Sequence, residues 1–414
     1  MKKLFKVAVI GGGMAGLCAA IACGRRFGGD SVIVLEKQSR VGRKLLATGN
    51  GRCNISNTYM SEIHYYGDRA IINSVIGGFS VQNIKRFLGG LGIMLREDSD
   101  GRIYPYSNQA STVLDCIRSE LMRLGVTEHC DSVLQQIFHQ NGKFTVTMND
   151  NTISAENIIF ACGSKASPSL GADDSGMIFL KKFGFHPVPF FPSLSPVETA
   201  EKYKNLKGVR AKGSVDVLAD GKIIRKQSGE IQFTEKGISG ICVFECARVV
   251  NEFLLYRTVY GKLVRKIQLS LDLMQDYHES DIVKYLRKCK GSFSEQPSAM
   301  ILSGALHKRL SETVVHNSGI GNKKCSELTE NELERIADST KHFLFTPTSY
   351  DAFVGAQVCA GGIGSRDIDP DTLAARKISG LYVCGEMLDV DGDCGGYNLH
   401  FAVGSALKAA KNIS

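Results

Sequence analysis

The feature that most constrains the fold is an apolar run near the start of the chain, followed at once by closely spaced glycines. Residues 7–10 have the composition of a buried parallel strand. Gly11, Gly13 and Gly16 follow with the spacing GxGxxG, and the residues over 14–25 predict a helix. This order places backbone N–H groups and the positive end of a helix dipole beside a phosphate group. We therefore expect a Rossmann-like turn that binds the pyrophosphate of a dinucleotide.

A second apolar run over 31–35 predicts the next strand, and Glu36 follows it, 20 residues after Gly16. A carboxylate at this position accepts hydrogen bonds from the two ribose hydroxyl groups of the dinucleotide and repels a 2′-phosphate. The turn is therefore expected to bind FAD or NAD rather than NADP. The glycine spacing alone does not distinguish FAD from NAD.

Two later segments bear on that choice. Residues 157–166 form an apolar run that closes on a glycine, and residues 378–413 predict a strand, the pair Gly385–Glu386, a glycine-rich loop and a helix. The second segment resembles the C-terminal part of two-dinucleotide-binding-domain flavoproteins. In those proteins a Gly-Asp pair meets the ribityl chain, and the next helix directs its N-terminus at the flavin. The resemblance favours FAD over NAD.

Further motifs resemble one flavoprotein family, which includes aminoacetone-oxidase-like and bile-acid-reductase-like NAD(P)/FAD-dependent oxidoreductases. The motifs lie at 42–57, 100–117, 229–240 and 385–406, and their GRCN and CGGYNL runs are the most specific. The matches extend from residue 7 to the C-terminus. The chain departs from the family pattern at two positions: Glu235 stands where the family usually has a histidine, and Ile241 stands where it usually has a proline after the GISG run. These two departures leave the substrate open.

The resemblance implies one FAD held by segments from both ends of the chain. Pyrophosphate binding is expected from Gly11, Gly13, Met14, Ala15 and Gly16. Adenosine ribose binding is expected from Glu36 and Lys37, and adenine would contact the backbone of Val133, as a strand residue. The nucleotide would also be lined by Ala161 and Gly163. Flavin or ribityl contacts are expected from Lys44, Gly51, Arg52, Cys53, Asn54, Gly385, Glu386, Gly396, Tyr397, Asn398 and Leu399.

The remaining patterns predict an α/β fold, in which a Rossmann-like parallel sheet with helices is interrupted by two inserted modules. The FAD-binding domain is expected to be discontinuous, over 1–190 and 345–414. A β-rich module is expected over 191–265 and a helical module over 266–344, with both covering the cofactor.

Individual elements follow from local patterns. Strands are predicted at 144–148 and 153–160, and helices at 80–91 and 110–124. The alternating segment 213–227 contains an Asp-Gly pair that predicts a hairpin turn.

Charge, hydropathy and cysteine content argue against nucleic-acid-binding, membrane-spanning and disulfide-rich secreted proteins. The net charge of +8 comes from basic residues scattered in short pairs, so nucleic-acid binding is not favoured. No stretch of 18 uninterrupted apolar residues occurs, so no membrane span is expected. The thirteen cysteines are odd in number and most lie in apolar contexts, which favours a reducing cytoplasm. No metal site is predicted, because the run 389–393 lacks the spacing of a calcium loop.

These observations predict an FAD-dependent oxidoreductase that acts on a small organic substrate. No second GxGxxG occurs, so NAD(P)H, if it is the electron donor, would bind only transiently at the open flavin face. The alternative is an oxidase, in which the flavin takes electrons from the substrate and passes them to oxygen. Cys53 has no second cysteine at CxxC spacing, which favours a packing role over a redox role. No catalytic residue and no oligomeric state is predicted. The alternatives are an FAD-dependent RNA-modifying enzyme and a protein whose flavin is only structural.

Overall fold

A computed structural model describes residues 3–149, 151–349 and 351–414. The helices are α1 Met14–Phe27, α2 Arg43–Ala47, α3 Arg69–Gly78, α4 Val81–Gly89, α5 Ala110–Leu124, α6 Ser175–Lys182, α7 Ile241–Tyr256, α8 Glu279–Ser292, α9 Lys308–Asn317, α10 Glu330–Lys341 and α11 Tyr397–Lys411. The strands are β1 Leu4–Ile10, β2 Val32–Leu35, β3 Ser56–Asn57, β4 Tyr65–Gly67, β5 Leu95–Glu97, β6 Arg102–Pro105, β7 Thr127–His129, β8 Leu134–Gln140, β9 Lys143–Met148, β10 Asn151–Phe160, β11 Val188–Ser193, β12 Val197–Thr199, β13 Arg210–Ala219, β14 Lys222–Phe233, β15 Gly237–Ser239, β16 Thr258–Val259, β17 Lys262–Leu263, β18 Ile267–Asp272, β19 Phe343–Phe345, β20 Pro347–Ser349, β21 Val358–Gly362, β22 Leu381–Val383 and β23 Val390–Gly392.

The chain forms two compact units. The first combines the residues up to Phe190 with Gln357–Ser414, and the second comprises Phe191–Ala356. The first unit is discontinuous in sequence because its last strand and helix come from the C-terminal segment.

A sheet with a parallel centre organises the first unit. Its strands are ordered β7-β2-β1-β10-β9-β8, and β22 pairs with the end of β10. The pairs from β7 to β10 and the pair β10–β22 are parallel, whereas β9 and β8 are antiparallel. The central strand β1 is apolar and mostly buried, as expected for a parallel strand covered on both faces. The sheet confirms the predicted Rossmann-like fold class.

The second unit contains an antiparallel sheet with the order β19-β18-β13-β14-β15-β12-β20. Its longest pair, β13 and β14, turns at Asp220 and Gly221, which both have positive φ angles of 48° and 79°. Two such residues form the turn that matches the twist of a hairpin. The predicted Asp-Gly hairpin is therefore present.

The boundaries within the inserted part differ from the predicted ones. Six residues of β13 pair with β18, on the far side of residue 265, and β20 belongs to the same sheet beyond residue 345. A strand needs its hydrogen-bonding neighbour, so the segments predicted as a β-rich and a helical module share one sheet and one core. That the inserted residues cover the cofactor stays a prediction.

Most of the predicted local elements lie where the sequence placed them. The helices predicted at 80–91 and 110–124 are α4 and α5, and the strands predicted at 144–148 and 153–160 are β9 and β10. The described residues contain no helix that is both long enough and apolar enough to span a membrane.

Candidate cofactor site

In the turn between β1 and α1, two positions have no room for a side chain and are occupied by glycine. Gly11 has a φ angle of +107°, and a Cβ atom added there would lie 2.5 Å from the carbonyl oxygen of Ala161. A Cβ atom at Gly16 would lie 1.9 Å from the carbonyl oxygen of Gly11. Both separations are far inside van der Waals contact. The two glycines therefore let α1 and the end of β10 pack directly against the turn.

Gly13 differs, because a Cβ atom there would meet no protein atom within 4 Å. It is the N-cap residue of α1, its side chain cannot cap the helix, and the first turn carries no acidic residue. The N–H groups of Met14, Ala15 and Gly16 have no hydrogen-bond partner among the described residues. Open space in front of uncapped N–H groups at a helix N-terminus fits a pyrophosphate.

The C-terminal segment reaches this turn, as the sequence predicts for a single extended cofactor. A Cβ atom at Gly385 would lie 2.7 Å from the Cβ of Ala15. The preceding residue, Cys384, donates its backbone N–H to the carbonyl of Phe160 at 3.0 Å. The Gly385 N–H donates to the hydroxyl of Ser405 in α11 at 2.9 Å. Gly385 therefore lies in the wall of the same turn.

Glu386 is held by donors from three other segments. Lys44 donates to Oε2 at 2.6 Å, the Ser164 hydroxyl donates to Oε1 at 2.7 Å, and the Cys359 N–H donates to Oε1 at 2.9 Å. The carboxylate of Glu386 and the ammonium of Lys44 compensate each other's charge. Both remain predicted ribityl or flavin contacts, in a geometry that leaves them partly exposed, at 20% and 29% of the side chain.

Glu36, the predicted ribose-binding residue, accepts two hydrogen bonds from the backbone. Its Oε2 accepts from the Gly12 N–H at 2.7 Å and its Oε1 accepts from the Gln38 N–H at 2.8 Å. These bonds place the carboxylate against the glycine turn. The Lys37 ammonium pairs with Asp173.

Val133 does not lie in a strand, contrary to the prediction, because β8 begins one residue later. Its side chain is half exposed and its carbonyl accepts from the Asn149 N–H at 3.3 Å. The Ser132 N–H donates to the carbonyl of Glu36 at 2.8 Å, so Val133 directly follows a residue that is bonded to Glu36. Its contact with adenine stays a prediction.

The loop 49–54 meets the N-terminus of α11. A Cβ atom at Gly396 would lie 2.2 Å from the Ser56 carbonyl and 2.8 Å from Oδ1 of Asn54. That Oδ1 is buried and has no hydrogen-bond partner among the described residues. A buried amide oxygen without a partner costs about 1–3 kcal/mol, so a polar ligand group at this position would satisfy it. Asn54 and the open Gly13 both fit FAD.

The side chains of Arg52 and Cys53, both predicted flavin or ribityl contacts, are engaged within the protein. Arg52 donates to the Tyr104 hydroxyl at 3.1 Å and lies over its ring, 4.5 Å from the centroid. Cys53 is fully buried, and this burial raises the pKa of its thiol to about 12. The thiol is therefore protonated at neutral pH, in agreement with a packing role.

The residues at the start of α11 are also tied down within the protein. The Asn398 side chain accepts from the Gly392 N–H and donates to the Gly392 carbonyl, both at 2.8 Å. The carbonyl of Tyr397 accepts from the Tyr65 hydroxyl at 2.8 Å, and Leu399 is half-buried. Oδ1 and Nδ2 of Asn398 are both used in these bonds, so a contact between Asn398 and a flavin would need a second hydrogen bond from one of these atoms or a bond from its backbone.

The structure adds functional candidates that the sequence did not reveal. Ser164 and the Cys359 N–H hold Glu386, and Asn108 places a second unpartnered buried amide oxygen just before α5, whose Ala110 N–H donates to the Gly51 carbonyl at 2.7 Å. Ser164 lies within the predicted strand-and-glycine segment, which is a weak signal. Asn108 lies within the motif at 100–117, which is also a weak signal, and nothing local in the sequence marks Cys359.

The sequence as a whole matches the family described as HI0933-like protein Rossmann domain, over residues 5–412. The chain belongs to this family.

Two relatives and one solved structure resemble this HI0933-like protein over nearly its whole length. The 3-dehydro-bile acid delta(4,6)-reductase of Clostridium scindens is 34% identical over 404 residues, which cover 96% of each chain. A ribosomal RNA dihydrouridine synthase of Haemophilus influenzae is 27% identical over 98% of each chain. The solved structure is that of the 3-ketosteroid-delta4-(5alpha)-dehydrogenase of Rhodococcus jostii RHA1, with a TM-score of 0.50 and 12% sequence identity over 99% of this chain and 96% of that one. At this low identity the likeness supports the fold and nothing about the activity.

These findings confirm the predicted family and fold class, and with them the prediction of an FAD-dependent oxidoreductase. The site residues, the substrate and the electron donor belong to the proposal below.

Proposed function

We propose that this HI0933-like oxidoreductase uses FAD to reduce a carbon–carbon double bond conjugated to a carbonyl group in a small organic substrate. The support is the 34% identity to a bile acid delta(4,6)-reductase along nearly the whole of both chains. A 3-oxo group with double bonds at positions 4 and 6 is a conjugated enone. Dihydrouridine formation, named for the second relative, is likewise the reduction of a double bond conjugated to a carbonyl. The common chemistry is hydride addition to an activated alkene.

In this proposal each end of the site has its own part. Gly13 and the N–H groups at the start of α1 would bind the pyrophosphate, and Glu36 the ribose. When bound, FAD supplies the hydride. The N-terminus of α11, capped by Gly396 without a side-chain bond and free of acidic residues in its first turn, would stabilise negative charge on the pyrimidine side of the reduced ring.

The electron donor in this proposal is NADH or NADPH, which binds transiently, because the chain holds a single GxGxxG fingerprint. Purified protein is expected to be yellow and to release FAD on denaturation. Anaerobic NADH or NADPH should bleach the flavin, and 3-oxo-4,6-choladienoate or 2-cyclohexenone should then restore its colour. A flavin bleached by neither nucleotide but reduced by a substrate would replace the reductase with an oxidase.

A second candidate, an RNA-reducing enzyme, is favoured by the likeness to a ribosomal RNA dihydrouridine synthase. The same bleached protein distinguishes the two. Unmodified ribosomal RNA transcripts that reoxidise the flavin, with binding that weakens steeply as salt rises, would favour the RNA enzyme, because phosphate contacts release counterions. Reoxidation by the enones alone supports the small-molecule reductase.

Removal of the Glu36 carboxylate tests the adenosine assignment. Glu36→Ala is expected to weaken FAD binding by about 1.5–3 kcal/mol, because two charge-assisted hydrogen bonds to the ribose are lost. The measurement is the dissociation constant of FAD from the apoprotein, by quenching of flavin fluorescence. Glu36→Gln is the matched control for the contacts within the protein, because it keeps an acceptor for the Gly12 N–H. Equal FAD affinity of Glu36→Ala and the natural protein would contradict the ribose role.

The cytoplasm is the proposed location, and it is supported by thirteen cysteines that are all free thiols.

A further inference from the structure

A histidine and an aspartate meet beside Tyr397, a predicted flavin contact. His64 ends a short 3-10 turn, Glu62–His64, and Asp393 follows β23. Strands β4 and β23 are antiparallel neighbours, with Tyr65 opposite Gly392. The Asp393 N–H donates to the carbonyl of His64 at 2.9 Å. Backbone pairing therefore fixes the two residues next to each other and next to the glycine loop before α11.

The side chains of the pair are also bonded. Nδ1 of His64 lies 3.1 Å from Oδ2 of Asp393, and the Tyr66 hydroxyl donates to Oδ1 of the same carboxylate at 3.1 Å. Because a carboxylate accepts, Nδ1 carries the hydrogen in this pair and Nε2 is the nitrogen that exchanges a proton. The Asp393 side chain is only 17% exposed.

The His64 side chain lies against Tyr397, a predicted flavin contact, and is partly exposed. The imidazole stacks on the Tyr397 ring, with centroids 4.3 Å apart, and the His64 side chain is 28% exposed. No group in the described part of the chain is bonded to Nε2. His400 on α11 provides the contrast, because both of its ring nitrogens are bonded within the protein and it is fully buried. His64 is thus an oriented imidazole whose Nε2 has no bond within the described part of the chain and lies beside a predicted flavin contact.

We propose that His64, held by Asp393, is the general acid that protonates the substrate. This inference rests on the proposed function. When bound and reduced, FAD would supply a hydride to the β-carbon of the substrate double bond and would be oxidised by the same two electrons. The electron pair of the double bond moves to the α-carbon and takes the proton from Nε2 of the imidazolium. The Nε2–H bond breaks, a C–H bond forms, and solvent restores the proton to the now neutral imidazole.

The test uses variants that separate proton transfer from positioning. In His64→Asn the amide nitrogen replaces Nδ1, so the hydrogen bond to Asp393 is kept and the transferable proton is lost. His186→Asn is the matched control, because His186 forms a second histidine–aspartate pair, with Asp367 at 3.3 Å, in the same unit. Each holoprotein is bleached anaerobically with NADH or NADPH and then mixed with 3-oxo-4,6-choladienoate or 2-cyclohexenone.

The two half-reactions are expected to respond differently. His64→Asn should keep the flavin content, the visible spectrum and the bleaching rate of the natural protein. Its reoxidation by the enones should slow about 100-fold, the usual scale for loss of a general acid. The control His186→Asn should reoxidise at the natural rate. In His64→Ala, added imidazole should restore part of the rate, a response that a purely structural role would not produce.

Reoxidation of His64→Asn within about threefold of the natural rate would overturn the inference and leave the proposed reductase standing. The inference is equally overturned if His64→Ala is slow and imidazole does not rescue it. If the natural protein bleaches but no enone reoxidises it, the proposed function fails, and the inference fails with it.

Discussion

Replacement of Gly13 by alanine is expected to leave the apoprotein folded and to weaken FAD binding by at least about 100-fold, which corresponds to about 2.7 kcal/mol. The backbone at Gly13 is extended, with φ −82° and ψ −177°, so alanine fits it without strain. A Cβ atom there meets no protein atom, so it intrudes only on the space in front of α1. That space is where the pyrophosphate has to approach the backbone.

Gly16→Ala is the matched comparison, because its Cβ atom would lie 1.9 Å from the Gly11 carbonyl oxygen. We expect this variant to destabilise the apoprotein itself, by about 2–3 kcal/mol, since α1 has to move away from β1. Urea unfolding of the two apoproteins and FAD titration by fluorescence separate the effects. A Gly13→Ala protein that binds FAD with nearly natural affinity would contradict the assignment of the pyrophosphate to this turn.

The sequence revealed what depends on neighbouring residues. The β1 run, the glycine spacing and α1 lie within 24 consecutive positions, 4–27, and each element has a local signature of composition or spacing. The hairpin at Asp220 and Gly221 is of the same kind, because positive φ angles at both positions select these residue types. For such elements the pattern is itself the physical cause of the structure.

Contacts between distant segments could not be predicted in the same way. Lys44 and Glu386 pair across 342 positions, and each was expected only to contact the flavin. The resemblance to the family implied that Val133 is a strand residue, yet the Ser132 N–H donates to the carbonyl of Glu36 and β8 begins only at Leu134. The predicted boundary between modules at residue 265 differs from the structure for a related reason, because β18, beyond that residue, pairs with β13. Which strand pairs with β18 depends on the tertiary fold, and composition does not encode it.

The same limit explains why the pairing of His64 with Asp393 could not be predicted. The two residues are separated by 329 positions; Asp393 lies in the motif at 385–406, but His64 lies in none of the motifs. The antiparallel pairing of β4 with β23 brings them together. A catalytic pair of this kind is specified by strand pairing, so it becomes visible only when the sheet is known.

The stability of the protein is expected to fall by about 3 kcal/mol between pH 7 and pH 4 through His400 alone. This residue is fully buried on α11, where Nε2–H donates to the Phe79 carbonyl at 2.9 Å and the Ser56 hydroxyl donates to Nδ1 at 2.8 Å. Burial lowers the pKa of His400 from 6.5 to about 4. Between these two values the unfolded chain binds the proton and the folded protein does not. Stability is therefore complete above pH 6.5 and is lost as the pH falls toward 4.

His400→Gln isolates this contribution, because glutamine does not titrate in this range. The free energy of unfolding of both proteins is measured by urea denaturation from pH 4 to pH 8. Glutamine lowers stability at neutral pH, since the bonds to Ser56 and Phe79 are imperfectly replaced. The difference between the two proteins should shrink by about 3 kcal/mol on acidification, because only the natural protein then carries the cost of a buried imidazole. Parallel pH profiles would show that His400 does not titrate in this way.

The Ser56 bond joins α11 to β3, directly after the loop that holds Asn54. The affinity for FAD should therefore decline over the same pH interval in the natural protein, and less so in His400→Gln.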